Sequence, residues 1–233
     1  MKKILSFLFM ITLSLFLVGC EESSPTPYNY NADEAQAKLK ELGKTSGFLI
    51  EYSYTSDVPT TSPSTDEYSD ISSMVLKIGV KDDITYMSAY GKEVYYDFSD
   101  SLSVTIYTGT YNKFLNDYKW EKEKIKYTEY MGREDYETYD AIFDYLVPFD
   151  NEDLLPTSVS SGMVAGRSCD KLTIKSPNGD YDSVNTKVTL YIDKELGICL
   201  KMTMEYSAYG ETHGTTLECT RFDTSVNLTL PIA

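Results

Sequence analysis

Histidine and cysteine side chains supply much nucleophilic and metal-binding chemistry, and this 233-residue chain has one of the first and four of the second. His213 lies in a run of small polar residues from Ser207 to Gly214, which reads as a solvated loop. A single histidine leaves no Cys/His zinc pattern and argues against a Ser-His-Asp triad. Cys169, Cys199 and Cys219 show no C-x-x-C spacing. Asn178-Gly179-Asp180-Tyr181-Asp182 offers oxygen ligands of the kind calcium takes. Val184 then stands where a ligand is needed, the sixth position is not glycine and no glutamate closes the loop, so a turn is the better reading. Carboxylates adjoin at Glu134/Asp135 and Asp150/Glu152/Asp153, as chance provides among 36 acidic residues, and they do not define a glycosidase pair. There is no Gly-rich phosphate loop. The expectation is a protein that is not an enzyme, with no metal and no cofactor.

Cys20 has a different setting. Met1-Lys2-Lys3 is basic, and Ile4 to Val18 is apolar apart from Ser6, Thr12 and Ser14. Leu17-Val18-Gly19-Cys20 follows, and then Glu21-Glu22. The apolar run is short of the ~20 residues that span a bilayer, and its flanks are those of a signal peptide. The arrangement resembles the lipobox of bacterial lipoproteins. The resemblance implies cleavage before Cys20, a diacylglyceryl thioether on its sulfur, and a place on the extracytoplasmic face of a cell membrane. Two acyl chains suffice for stable anchoring. Residues 1–19 are then a signal peptide, 20–31 the lipidated cysteine and a flexible tether, and 32–233 one domain. Glu21 to Asn31 is rich in proline and polar residues. Fully extended, those eleven residues reach at most ~39 Å.

Charge bounds the partners. The chain has 21 basic and 36 acidic residues, a net charge of −15. Such a surface is repelled by nucleic acid and by anionic headgroups, so membrane attachment needs a covalent anchor. Tyrosine is abundant, 21 residues against 9 phenylalanines and one tryptophan, which suits half-buried strands and contact surfaces. A monomer is expected.

Local signals set the elements. Asn31 caps a helix that opens with Asp33 and Glu34, carries Ala35, Leu39 and Leu42 on one face and stops at Gly43. Strands are expected at Phe48–Tyr54, Met74–Val80, Ile84–Tyr90, Glu93–Phe98 and Leu102–Tyr107, with a loop from Asp57 to Asp70. Tyr111, Phe114, Leu115 and Tyr118 fall at i, i+3, i+4 and i+7, the spacing of one helix face, and Tyr139, Ile142, Phe143 and Leu146 repeat it. Glu121–Tyr130 fits helix or strand, and Asp150–Ser161 reads as loop. The last third alternates apolar and polar through Leu172/Ile174, Val188/Leu190/Ile192 and Ile198 to Tyr206, and ends in a strand at Thr215–Phe222: an antiparallel meander with one apolar face. In a simple meander Cys169 and Cys199 lie two strands apart, near 10 Å, beyond the ~7 Å of a disulfide. Alternation puts both on the polar face and Cys219 on the apolar one, so no disulfide is expected.

Ala165-Gly166-Arg167-Ser168-Cys169-Asp170-Lys171-Leu172, followed by Leu190-Tyr191-Ile192-Asp193-Lys194-Glu195-Leu196-Gly197-Ile198-Cys199-Leu200-Lys201, resembles the outer-membrane lipoprotein carrier (LolA-like) superfamily. The resemblance implies an α+β fold: a curled antiparallel sheet, or half-open β-barrel, with an N-terminal helix and central helices packed on the concave face. It also implies an apolar cavity that takes a lipid or acyl chain, with Leu190, Ile192, Leu200, Met202 and Met204 facing it. The alternative is a non-catalytic cell-surface lipoprotein that serves as a structural or protein-interaction module through exposed tyrosines and acids.

Overall fold

A computed structural model describes residues 27–57, 73–128, 132–133, 146, 152–175, 185–208 and 211–232. Its strands are β1 (Tyr28–Tyr30), β2 (Phe48–Ser56), β3 (Ser73–Lys81), β4 (Ile84–Ala89), β5 (Lys92–Asp97), β6 (Ser103–Asn112), β7 (Asp117–Lys126), β8 (Glu152–Leu154), β9 (Ser158–Val164), β10 (Arg167–Lys175), β11 (Asn185–Asp193), β12 (Cys199–Ala208) and β13 (Glu211–Asp223). Helix α1 (Ala32–Thr45) precedes β2. Eleven strands form one sheet in the order β7-β6-β5-β4-β3-β2-β13-β12-β11-β10-β9, and β1 pairs with β8 in a separate ribbon. Every pairing is antiparallel. Two meanders, β2–β7 and β9–β13, are thus joined by the β2/β13 pair.

The described part is mostly β: the expected antiparallel sheet, here of eleven strands, with a single helix, the N-terminal one. The expected helix over Tyr111–Tyr118 is instead the end of β6, a turn and the start of β7, with Tyr111 directly opposite Tyr118. A tight hairpin brings residues seven apart face to face, and that separation coincides with two helical turns. Asn112 shapes the turn: its Oδ1 accepts from the N–H groups of Phe114 (3.0 Å) and Leu115 (3.3 Å). Tyr139, Ile142 and Phe143 lie outside the described residues, and Leu146 is helical and fully buried. Residues 121–126 are strand. The stretch expected as loop holds β8 and the start of β9. The expected tether ends in structure as well: Tyr28–Tyr30 pairs with β8, and Tyr30 is buried with its hydroxyl donating to the Gly197 carbonyl.

Helix α1 starts as expected, with Asn31 Oδ1 accepting from the Glu34 N–H at 2.9 Å. It does not stop at Gly43. It runs to Thr45, and the N–H of Gly47 (φ +73°) bonds back to the Leu42 carbonyl at 2.8 Å. Gly43 is there for packing, since a Cβ on it would lie 2.8 Å from Val80 Cγ1. The helix lays Ala35 and Leu39 on the sheet among Phe48, Ile50, Tyr52, Ile78, Val80, Leu190 and Leu200, and this is the core. Among the described residues no helix is long and apolar enough to cross a membrane.

Candidate functional site

Residues directly opposite one another in antiparallel strands share a face, so the register defines the apolar surface under the helix. One row crosses seven strands: Val159, Leu172, Leu190, Met202, Leu217, Tyr54 and Met74. A second row begins with Ile174, Val188 and Met204 and then turns polar at Thr215 and Ser56. Tyr54 and Met74 continue the alternation that places Tyr52, Ile50, Leu76 and Ile78 in the core, so both rows lie on the helix side.

Burial changes along this face. Leu190, Ile192 and Leu200 are sealed in the core. Met202, Leu217, Tyr54, Met74, Ile174 and Val188 are half-buried, and Met204 is 36% exposed. Of the five residues expected to face a cavity, three therefore pack as core and the two methionines lie in the half-open band beside it. Ile192 also borders a 230 Å³ pocket with Tyr28, Glu34, Lys38, Asp170 and Lys194. Met204 borders a 390 Å³ groove with Thr55, Asp57, Thr203, Gly214 and Thr215. Tyr54, Met74 and Leu217 complete the band and were not singled out from sequence. Each obeys the alternation of its own strand, but only the β2/β13 pairing puts them next to Met202.

The core end of the face is fastened by polar groups. Tyr52, fully buried, donates its hydroxyl to the Cys199 carbonyl at 2.8 Å, and burial pushes its phenol pKa well above 10. Asp193, 1% exposed, takes Arg167 Nε at 2.5 Å and Arg167 Nη2 at 3.0 Å, and its Oδ1 accepts from the N–H groups of Glu195 and Leu196. The guanidinium also lies 4.8 Å from the Phe222 ring centre. The Asp-Lys-Glu-Leu-Gly run singled out from sequence is this turn. Gly197 closes it with φ +75°, where a Cβ would meet Ala35 of the helix at 3.1 Å.

The three cysteines among the described residues, Cys169, Cys199 and Cys219, are free and buried, which corrects the polar face expected for Cys169 and Cys199. A register shift between Tyr191 and Ile192 breaks the alternation opposite Cys199, and Cys169 faces Asp193, itself covered by Arg167. Strand β11 separates Cys169 from Cys199, as a simple meander requires. Burial raises the Cys199 and Cys219 thiols to about 12, so neither is a ready nucleophile. His213 is not in a loop: β13 begins at Glu211, and His213 pairs opposite Tyr206. Among the described residues no group of three or more His, Cys, Asp or Glu is placed to hold a metal ion. The Asn178–Asp182 run lies outside the described residues.

The far face carries a run of stacked aromatic residues. Tyr86, Tyr95 and Tyr107 stand in one row ending at Lys122, whose ammonium lies 5.0 Å from the Tyr107 ring centre. Ring contacts run on from Tyr86 to Tyr95 (4.7 Å), Trp120 (5.6 Å), Tyr118 (5.7 Å) and Tyr111 (5.4 Å). Trp120 lies flat on Gly109. These rings pack largely on one another, and Tyr86 and Tyr107 are buried.

No family model matches the chain, and no curated protein matches it. Eight chains of solved structure do. MucB, solved in complex with MucA(peri), matches over 83% of this chain and 55% of its own, at 11% identity and a TM-score of 0.30. The chain thus spans about half the length of MucB. A domain from Vibrio parahaemolyticus described as an outer membrane lipoprotein-sorting protein domain matches over 83% of this chain and 93% of its own, at 8% identity and a TM-score of 0.16.

Proposed function

We propose that this chain is a membrane-anchored extracytoplasmic lipoprotein that binds a hydrophobic ligand, a lipid or an acyl chain, without catalysis. The observation that carries the reading is the half-open apolar band: Met202, Met204, Leu217, Tyr54 and Met74 continue the sealed core but stay partly open. Burial of such surface yields about 25 cal/mol per Å², and unbranched methionines adapt to acyl chains of varied shape. A sheet curled toward the helix, as in a half-open barrel, belongs to the same reading. Its support is the reach of Arg167 on β10 to Phe222 on β13, with β11 and β12 between them. Cys20 supplies the anchor in this proposal, through the lipobox that its flanking residues resemble. The alternative, a surface module for protein contacts, draws on the aromatic far face. That face is largely occupied by its own ring stacking, which favours the first reading.

Two measurements test this. Native mass spectrometry of the chain extracted from producing membranes is expected to show a mass increment of one lipid or fatty acid, reduced by Met202→Asp/Met204→Asp. Repeated clean apo masses would remove the ligand reading. Radiolabelled palmitate is expected to enter the parent chain and not Cys20→Ala. Identical fractionation of the two would remove the anchor.

A further inference from the structure

The β6–β7 turn, Lys113–Asn116, holds Phe114 at 99% and Leu115 at 74% exposure. Two adjacent apolar side chains are thus held in water by a built turn. Asn112 accepts from both of their N–H groups, Asn116 takes a left-handed φ of +51°, and the Tyr111 hydroxyl donates to Asn116 Oδ1. Behind the tip come Tyr111 and Tyr118 in ring contact, then Trp120. At about 3.3 Å per residue, Tyr118 stands ~7 Å and Trp120 ~13 Å back from Asn116. Near the tip Lys113 and Lys119 stand with Asp117 and Glu121, and Lys119 pairs with Glu121 at 3.0 Å, so the tip is locally neutral in a chain of net charge −15.

Apolar tip and aromatic belt follow the depth order of a bilayer interface. Apolar side chains enter the acyl boundary by about 5–10 Å, and Tyr and Trp settle at headgroup level. The tip is too small for a protein partner. Its two side chains offer roughly 400 Å² on their own side, about half of the ~800 Å² each partner gives to a standard interface. A bilayer sets no such minimum, and a locally neutral tip escapes the repulsion that the acidic rest of the chain would meet. We propose that the β6–β7 tip is a bilayer-inserting finger, with Phe114 and Leu115 entering the acyl region of a phospholipid membrane. This goes beyond the ligand-binding band and does not depend on it; it requires only a bilayer within reach.

Trp120 is the sole tryptophan, so a reporter can be moved. The full chain carrying Phe114→Trp/Trp120→Phe is incorporated into phosphatidylcholine vesicles brominated on their acyl chains. A second chain carries Leu102→Trp/Trp120→Phe, because Leu102 is also 74% exposed but sits at the opposite end of β6. Both chains are reconstituted into the same vesicles in the same way, so only the reporter position differs. Emission from the tip reporter is expected to shift to the blue and to be quenched at least threefold more than from the Leu102 position. An unquenched tip, or equal quenching of both, overturns the proposal. With Trp120 left in place, a headgroup nitroxide on phosphatidylcholine is expected to quench it at least twofold less in Phe114→Ser/Leu115→Ser than in the parent. Undiminished quenching also overturns it.

Discussion

Asp193 shows how much one side chain can determine in this fold. Buried at 1% exposure, it closes the β11–β12 turn through two backbone N–H groups and neutralises Arg167 through two more hydrogen bonds. Removing one partner of a buried ion pair costs about 3–5 kcal/mol; here Arg167 is 19% exposed and keeps Glu195 at 2.9 Å, which holds the loss to about 3 kcal/mol. Asp193→Ala is expected to lose that much in urea denaturation. Asp193→Asn keeps an oxygen for the turn and is expected to lose less, and equal losses would assign the whole effect to the ion pair. The motif was visible in the sequence as Asp-Lys-x-x-Gly, but its reason was not. Glycine at position 197 answers both a left-handed φ of +75° and the approach of Ala35, 162 residues away, and no local pattern reports that contact. The methionines show the same limit. Alternation assigned Met202 and Met204 to the apolar face, yet their partial exposure against the sealing of Leu190 and Leu200 depends on where α1 lies across the sheet.

Among the elements, the hairpin β6–β7 is where local pattern and structure part. Four apolar residues at helical spacing flank a turn whose real signals are Asn112 and Asn116. The strands of the last third were legible because period-2 alternation with turn formers between runs admits little else. Helix α1 was legible from its cap, and its end was not, because Gly43 serves the packing of Val80 rather than termination. Gly109 is a comparable case within a strand. A Cβ there would lie 2.7 Å from two carbons of the Trp120 ring, and neither can move without lifting the indole off the sheet. Gly109→Ala is expected to cost about 1–3 kcal/mol through overpacking. The checks are a lower urea midpoint and a red shift of tryptophan emission; unchanged emission would show that the indole does not rest on this glycine.

For the molecule as a whole, pH is the sharpest lever. Burial raises Tyr28 and the thiols of Cys199 and Cys219 to about 12, and holds Tyr30, Tyr52 and Tyr86 well above 10. These groups are neutral when folded and ionise more readily when unfolded. Their contribution is therefore complete below their ordinary values, 9.0 for the thiols and 10.0 for the phenols, and is lost as pH climbs toward the folded ones. Urea midpoints are expected to hold near neutrality and to fall steadily from about pH 9 to 12. A flat profile to pH 11 would contradict the burial of these side chains. The seam between the two meanders has a consequence of another kind. Strand β2 pairs on one side with β3, but its other edge is covered only when β13 arrives, more than 150 residues later. A growing polypeptide that has reached β12 presents two raw borders of unpaired backbone, which is the state that recruits other chains into mixed sheets. The moment of greatest risk in this protein's life therefore falls late in its synthesis, just before the strand that joins the halves becomes available.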